Sequence, residues 1–324
     1  MEATMRACHV VGVAVFATML GWLPGAHAQE QPIRIIFPFA AGGSGDGLAR
    51  LIADKMRSAL NRPAIVENRT GAAGRPAITA VKNAAPDGST LLITPIAPMA
   101  VYQHVYRNLE YDPIKDFAPV SQIATFDFAV AVGPQVPAAS LKELVAWVKA
   151  DASRASFGSP GTGTLPHFFG LLFGRAAGIE LRHVPYKGSA ATLSDLAAGH
   201  VPMVFTTISD FVEMHKAKRI RILATAGAAR SPFVPDVPTF QEAGFSIQGT
   251  SWFGAFAPAG TPREIVDRYS AIMAAAARMG DVRDRFLGWG LQPTGTSAAE
   301  FAAIQKADAE RWGLVAKASG FSAD

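Results

Sequence analysis

The chain has 324 residues, of which 49% are hydrophobic and 17% charged, and its formal net charge at pH 7 is +4. The basic residues are spread thinly, so the composition argues against a nucleic-acid-binding protein, which needs a concentrated basic surface. The single cysteine, Cys8, excludes an internal disulfide and a cysteine-based metal site.

The first 28 residues have the pattern of a secretory signal peptide. Arg6 precedes an apolar run, Val10–Leu23, and an Ala-His-Ala triplet ending at Ala28 supplies a small-residue cleavage site. The apolar run is shorter than the roughly 20 residues that span a bilayer, which disfavours a membrane anchor. We therefore predict cleavage after Ala28 and export of residues 29–324 to the periplasm.

Apolar runs with strand character alternate with amphipathic helical patterns through most of the mature chain. The predicted strands are Ile33–Phe39, Ala64–Val66, Thr90–Thr94, Phe128–Val132, Ala155–Gly158, Met203–Thr206, Ile220–Ala224 and Trp252–Ala257. The predicted helices are Asp46–Leu60, Ile78–Ala85, Ser140–Ala150, one beginning near Pro166, Leu193–Ala198, Arg263–Arg278, Asp281–Leu287 and Ala298–Ala318. Such alternation is typical of an α/β protein with largely parallel sheets.

The strand–helix alternation restarts near residue 155, and the C-terminal part of the chain is wholly helical. We expect two α/β lobes joined by two crossover strands. The first lobe would comprise residues 29–128 and 253–324, and the second would comprise residues 129–252.

Two glycine-rich loops each connect a predicted strand to a predicted helix. The first glycine loop is residues 40–45, Ala-Ala-Gly-Gly-Ser-Gly, and the second is residues 159–164, Ser-Pro-Gly-Thr-Gly-Thr. Loops of this kind direct free backbone N–H groups and the positive end of a helix dipole at an anion. Neither loop has the lysine or the glycine spacing of a nucleotide-binding motif. Each loop could also be a plain connection, but two such loops facing across a cleft would suit the two ends of one ligand.

The chain resembles the Bug family, the extracytoplasmic solute receptors of tripartite tricarboxylate (TTT) transporters. The resemblance covers nearly the whole mature chain. The segments that carry it are residues 36–46 (IFPFAAGGSGD), 66–69 (VENR), 85–92 (APDGSTLL), 111–113 (YDP), 116–120 (DFAPV), 159–164 (SPGTGT), 183–188 (HVPYKG), 235–239 (PDVPT) and 256–262 (FAPAGTP).

The resemblance implies a two-lobe periplasmic binding protein of the type II-like class, with the ligand in a cleft between the lobes. It also implies that both glycine loops hold a carboxylate through backbone amides, hydroxyls and ordered water. Carried onto this chain, the ligand-binding residues would be Phe39, Ala40, Ala41, Gly42, Gly43, Ser44, Asp46, Ser159, Gly161, Gly163, Thr164, His167 and Thr206.

The chain departs from the family pattern in both walls of the expected cleft. Ala40 and Ala41 replace two prolines, which predicts a less stiff first loop. Thr206 stands where many relatives have an aspartate that would suit an amine. We therefore hypothesise a ligand that is an anion without a positive group. Arg75 could reach a second carboxylate or lie on the surface.

Two expected site residues and one further candidate have an alternative structural interpretation. Asp46 could cap the helix that it begins rather than contact the ligand. His167 could pack at the start of its helix, and Lys187 could shape a turn rather than face the ligand.

The expected partners are a small organic anion, most simply a carboxylate, and the permease subunits of a TTT transporter. The same receptor could instead signal to a sensor protein, or the fold could serve a secreted hydrolase. We expect a monomer without cofactor, metal or nucleic acid.

The sequence contains no metalloprotease or nucleophile-elbow motif. Ser159, His167 and Asp195 could be combined into a catalytic triad, but nothing in their spacing requires it. We therefore predict no catalytic residues.

Overall fold

The computed structural model describes residues 31–319 and 321–323, so the predicted signal peptide lies outside the described residues. From Pro32 onward the chain forms one compact unit. Its strands are β1 (Ile33–Phe37), β2 (Ala64–Asn68), β3 (Thr90–Pro95), β4 (Phe117–Val132), β5 (Ser156–Ser159), β6 (Arg182–Pro185), β7 (Met203–Thr207), β8 (Arg221–Thr225), β9 (Thr250–Pro258) and β10 (Gln292–Pro293).

The α-helices of the described residues cover this sheet and include most of those predicted. They are α1 (Ser44–Leu60), α2 (Arg75–Lys82), α3 (Ala97–Ala100), α4 (Leu141–Lys149), α5 (Leu165–Ala177), α6 (Ser189–Ala198), α7 (Ile208–Lys216), α8 (Arg263–Arg278), α9 (Gly280–Gly288) and α10 (Ala298–Ser319). No helix in the described part of the chain is both long enough and apolar enough to cross a bilayer.

The strands form one curled sheet in the order β2-β1-β3-β9-β4-β7-β5-β6, and β8 and β10 also pair with β4. Strand β1 is parallel to β2 and β3, and β5 is parallel to β6 and β7. Strand β9 is antiparallel to both β3 and β4. The α/β class is confirmed, and each parallel strand group leads into helices at its carboxyl edge, where ligands of such sheets bind.

The long strand β4 links the two halves of the sheet. Its residues up to Asp127 pair with β9, whereas Phe128–Val132 pair with β7 and β8. The sequence predicted only Phe128–Val132, because polar Ser121 and Gln122 interrupt the apolar pattern although both are buried. The lobe boundaries at residues 128/129 and 252/253 remain a prediction.

Helix α1 shows why the local sequence folds as it does. Leu48, Ile52 and Met56 recur every fourth residue and are fully buried against the sheet. The helix ends at Asn61, which adopts a left-handed conformation with φ of 48°. Burying each of these side chains contributes about 1.5–3 kcal/mol, so packing fixes where the helix N-terminus and the first glycine loop lie.

Aromatic rings fill the region where β4 and β9 run side by side. The ring of Phe126 lies 4.7 Å from that of Phe253 and 5.5 Å from that of Phe128. Trp252 instead packs on Phe301 with ring centroids 5.0 Å apart. Successive residues of β9 therefore face opposite sides of the sheet. Of Trp252 and Phe253, Phe253 is the one that borders the cavity described below.

Candidate ligand-binding site

A cavity lies where both glycine loops meet the sheet. Its empty volume, including the open mouth, is about 570 Å³, which is within the range of small-molecule sites. The apolar lining residues are Phe37, Phe39, Ala40, Pro95, Ile96, Ala97, Phe128, Pro160, Leu165, Pro166 and Phe253. The polar lining residues are Ser44, Asp46, Thr164, Ser189, Thr206, Thr207 and Asp210.

The cavity brings together about half of the residues predicted to bind ligand. Those on its lining are Phe39, Ala40, Gly43, Ser44, Asp46, Thr164 and Thr206. The remaining predicted residues, Ala41, Gly42, Ser159, Gly161, Gly163 and His167, are absent from the lining. Ligand contact stays a prediction for every member of the set.

The first glycine loop faces two carboxylates of the protein itself. Ser44 is the first residue of α1, and both its N–H and its Oγ donate to Asp210 Oδ1, at 3.0 and 2.8 Å. The N–H of Gly42 donates to Asp46 Oδ2 at 3.1 Å. The positive end of α1 is therefore already compensated by internal anions.

Asp46 combines a structural role with a position on the lining. Its carboxylate accepts hydrogen bonds from Arg50 at 3.0 Å and from Asn68 at 2.9 Å. Burial alone would raise the pKa of Asp46, but the hydrogen bonds from Arg50, Asn68 and the Gly42 amide outweigh it and lower the pKa. The N-cap position belongs to Gly43, and Asp46 braces the loop from inside the first helical turn.

Asp210 is the functional candidate that the sequence prediction missed. It lies in the first turn of α7, and its Oδ2 accepts hydrogen bonds from Thr206 at 3.0 Å and from Thr207 at 2.8 Å. This wall therefore carries a carboxylate beside Thr206, although residue 206 itself is not the aspartate that many relatives have. The sequence pattern that could have identified Asp210 is Thr207-x-x-Asp210, a spacing typical of a helix N-terminus.

The second glycine loop has no such acidic partner. Thr164 is the N-cap of α5, and the first turn of that helix contains no acidic residue. The Thr164 hydroxyl donates to the Gly161 carbonyl at 2.7 Å, which fixes the loop. Leu165 borders the cavity, and its N–H has no hydrogen-bond acceptor within the described residues. The positive end of α5 therefore faces the cavity uncompensated.

Gly163 must be glycine for two reasons. Its φ is +77°, and a Cβ built on it would lie 2.9 Å from the hydroxyl of Tyr106. That hydroxyl donates to the carbonyl of Thr162 at 3.0 Å, so Tyr106 holds the second loop from the other half of the sheet.

A pair of buried histidines supports the second loop from behind. The rings of His167 and His183 stack with centroids 3.9 Å apart. His167 Nδ1 accepts the N–H of Gly163 at 3.1 Å, and His183 Nε2 pairs with Ser159 Oγ at 2.7 Å. Burial lowers the pKa of His167 to about 4; burial and the neighbouring His167 lower the pKa of His183 to about 3. Both imidazoles are therefore neutral at pH 7.

The catalytic triad that could be drawn from the sequence is not assembled. The hydroxyl of Ser159 pairs with His183 rather than with His167. Asp195 accepts hydrogen bonds from Tyr186 at 2.7 Å and from His200 at 3.3 Å. Among residues 31–319 and 321–323, no group of His, Cys, Asp or Glu side chains is arranged to hold a metal ion.

The turn that contains Lys187 touches the first loop through its backbone. The N–H of Ala40 donates to the Lys187 carbonyl at 3.1 Å, a bond that a proline at position 40 could not make. The Lys187 side chain does not border the cavity. Arg75 also lies off the lining, with its guanidinium stacked 4.1 Å from the Tyr106 ring.

The curled α/β sheet, with a largely apolar cavity between two glycine loops, defines a periplasmic binding protein of the solute-receptor class. Residues 48–321 match the family described as "Tripartite tricarboxylate transporter family receptor" (TctC). The chain belongs to this family, and the predicted Bug-type resemblance is confirmed.

Curated relatives extend over most of the chain. The UPF0065 protein in the tcbD-tcbE intergenic region of Pseudomonas sp. strain P51 is 34% identical over 287 residues, covering 87% of this chain and 84% of that protein. Protein BugT of Bordetella pertussis is 30% identical, covering 90% of each chain.

Solved structures of similar proteins have the same fold. The periplasmic binding protein BugD superposes with a TM-score of 0.86 at 28% identity, covering 90% of this chain and 99% of that one. An R. palustris protein with adipate gives 0.86 at 32% identity, covering 90% and 98%. MatC from Rhodopseudomonas palustris with bound malate gives 0.84 at 31% identity, covering 88% and 98%. The family is one of receptors, which confirms the prediction that this chain is not an enzyme.

Proposed function

We propose that this protein is a periplasmic receptor that captures a small organic carboxylate and delivers it to the membrane subunits of a TTT transporter. The observation that carries the proposal is the N-terminus of α5, which borders the cavity and has no acidic residue in its first turn. Membership of this receptor family gives the cavity its expected role as a ligand site. The adipate and malate bound to two structural neighbours support a carboxylate ligand.

In this proposal the ligand carboxylate binds at the second glycine loop. The N–H of Leu165 and the helix dipole supply positive potential without a lysine or arginine, since none of the lining residues is basic. The apolar side chains of Phe39, Phe128 and Phe253 would contact the carbon skeleton of the ligand. The residues of both glycine loops predicted from the sequence remain the proposed ligand-binding set.

Ligand capture would close two lobes, residues 29–128 with 253–324 and residues 129–252, about the crossover strands β4 and β9. Hydrogen bonds between Ser44 and Asp210 and between Ala40 and Lys187 support this idea, because each joins a residue of one proposed lobe to a residue of the other. A ligand that contacts both walls stabilises the closed state, which the permease would recognise.

Ligand identity can be tested on the mature protein, residues 29–324, purified from a periplasmic extract. We expect native mass spectrometry to detect a bound compound and denaturation to release it as an intact carboxylic acid. Isothermal titration calorimetry against a panel of mono-, di- and tricarboxylates then gives affinities. Recovery of a compound without a carboxylate, or heat from none of the acids, would contradict the carboxylate proposal.

Delivery to a transporter needs a separate experiment in cells. Uptake of the labelled acid should require both this receptor and the genes for the TTT permease subunits. Full uptake in a strain that lacks the permease genes would reject the delivery proposal. Ligand-dependent gene expression in that strain would indicate a sensory role instead.

A further inference from the structure

The polar wall of the cavity is a single hydrogen-bonded cluster, which we call the Asp210 cluster. Its members come from the starts of three helices, α1, α6 and α7, and from the last two residues of β7, and all except Ser209 border the cavity. The cluster consists of Ser44, Ser189, Thr206, Thr207, Ser209 and Asp210.

The carboxylate of Asp210 accepts as many hydrogen bonds as it has good positions for. Its Oδ1 accepts the N–H and the Oγ–H of Ser44, and its Oδ2 accepts the hydroxyls of Thr206 and Thr207. A carboxylate offers about four lone-pair positions and has no proton to donate. The four donors therefore saturate Asp210.

Each hydroxyl of the cluster has one proton, and every one of these protons is used inside the cluster. Ser44, Thr206 and Thr207 donate theirs to Asp210. Ser209 Oγ lies 2.9 Å from both Ser44 Oγ and Thr207 Oγ1, and these two acceptors share its single proton.

The remaining hydroxyl proton of the cluster belongs to Ser189. Its Oγ lies 3.3 Å from Thr206 Oγ1, and because the Thr206 proton goes to Asp210, Ser189 must be the donor of this pair. The hydroxyls of the cluster therefore present only oxygen lone pairs to the cavity.

The formal charge of the cluster also disfavours a second carboxylate on the ligand. Asp210 has no ion-pair partner among the described residues, whereas the other acid on the lining, Asp46, is paired with Arg50 at 3.0 Å. Since no lining residue is basic, this wall combines a net negative charge with hydrogen-bond acceptors. A second carboxylate of a ligand would meet repulsion from Asp210 here, and the hydroxyl protons of this wall are already used inside the cluster.

We propose that the Asp210 cluster makes this receptor select acids that carry an ammonium or hydroxyl group over plain dicarboxylates. This inference rests on the proposed function, in which the ligand carboxylate lies at the second glycine loop. An ammonium supplies donors to the oxygen lone pairs and offsets the negative charge, whereas a hydroxyl supplies one donor. The expected order of affinity is therefore amino acid, hydroxy acid and then dicarboxylate.

Two matched series of acids test this order by calorimetry. Within each series only the far end changes, as in 4-aminobutyrate, 4-hydroxybutyrate and succinate, or 6-aminohexanoate, 6-hydroxyhexanoate and adipate. We expect the amino or hydroxy acid of at least one series to bind at least about tenfold more tightly than its dicarboxylate, in line with a site built to pair a donor. Dicarboxylates that bind as tightly or more tightly would overturn the inference and leave the proposed function standing. Binding of no acid at all would remove the proposed function itself.

The Asp210→Asn variant tests the role of the cluster, because the amide removes the charge and adds two donors. We expect the preference over the dicarboxylate to fall about tenfold. Asp284→Asn, a change at an exposed residue of α9 that makes no side-chain hydrogen bond or ion pair within the described residues, is the matched control and should retain the wild-type preference. An unchanged preference in folded Asp210→Asn would contradict the inference. If that variant does not fold, Ser189→Ala, which removes one acceptor, should still weaken binding of the donor-bearing acid more than that of the dicarboxylate.

Discussion

The two glycine loops share a sequence pattern but differ in what faces the helix that follows each of them. At the first loop Asp46 and Asp210 already occupy the positive end of α1. At the second loop the first turn of α5 has no acid, and the residues behind it are the neutral His167 and His183. The same strand–glycine–helix pattern therefore gives one internally satisfied helix end and one that remains available to a ligand anion.

The largest expected effect comes from placing a charge at the second loop. Thr164→Asp puts a carboxylate at the N-cap of α5, where aspartate is favourable for the helix. Two negative charges about 4 Å apart repel by about 4 kcal/mol at an effective dielectric constant of 20. We therefore expect acid affinity, measured by calorimetry, to fall by at least about a hundredfold while the melting temperature is maintained.

Thr164→Asn is the matched control, since asparagine has nearly the same shape as aspartate but no charge. It should lose far less affinity than Thr164→Asp. Equal losses in the two variants would show that shape rather than charge matters at this position. That result would contradict the claim that the second loop, unlike the first, is available to a ligand anion.

The histidine pair behind the second loop predicts that the stability of the protein depends on pH. Unfolded histidine titrates near pH 6.5, whereas His167 and His183 remain neutral down to pKa values of about 4 and about 3 in the folded protein. Unfolding therefore takes up protons as the pH falls from 6.5 to 4, and stability falls in that window. His183→Gln should reduce the slope of the unfolding free energy by about 1 kcal/mol per pH unit.

Urea denaturation at several pH values between 7 and 4 measures this slope. His200→Gln provides the control, because His200 is exposed. A wild-type stability that is flat between pH 6.5 and 4.5 would be inconsistent with neutral buried imidazoles.

Asp46→Asn tests the compensation at the first loop. The variant loses the pairing with Arg50 and the charge beside the Gly42 amide, which should cost about 2 kcal/mol of stability at pH 7. The folded pKa of Asp46 is lowered, so its contribution is present above the unfolded pKa and is lost as the pH falls through the folded value. The difference from wild type, measured by denaturation, should therefore vanish at low pH, and a difference that persists there would contradict this account.

The smallest effect is expected at Ser159, whose hydroxyl is fully buried and paired with His183. Ser159→Ala should cost about 1 kcal/mol of stability, as for one lost hydrogen bond. Its acid affinity should fall far less than that of Thr164→Asp. A comparable loss of affinity in the two variants would mean that the Ser159 hydroxyl, and not the charge at the start of α5, dominates acid binding.

Much of the fold could be predicted from local patterns. The bounds of α8, Arg263–Arg278, agree with the prediction to the residue, because its apolar positions recur with helical spacing. Helix α7 was missed, since its short stretch mixes polar and apolar residues without a long periodic run. The first part of β4 was missed because its polar residues are buried by tertiary packing.

The positions of both glycine loops could also be predicted, but the difference between them could not. Asp210 is separated from Ser44 by 166 residues, and only the folded sheet brings α7 to the start of α1. Local sequence identifies helix ends that could bind an anion. It does not reveal which of them a distant side chain already occupies.

The most direct test of the central claim is a crystal structure of the protein with its tightest-binding acid. The account predicts that the ligand carboxylate lies about 3 Å from backbone N–H groups at the start of α5, with Asp210 still bonded to Ser44. A carboxylate bound instead at Ser44, with Asp210 displaced from the first loop, would contradict it.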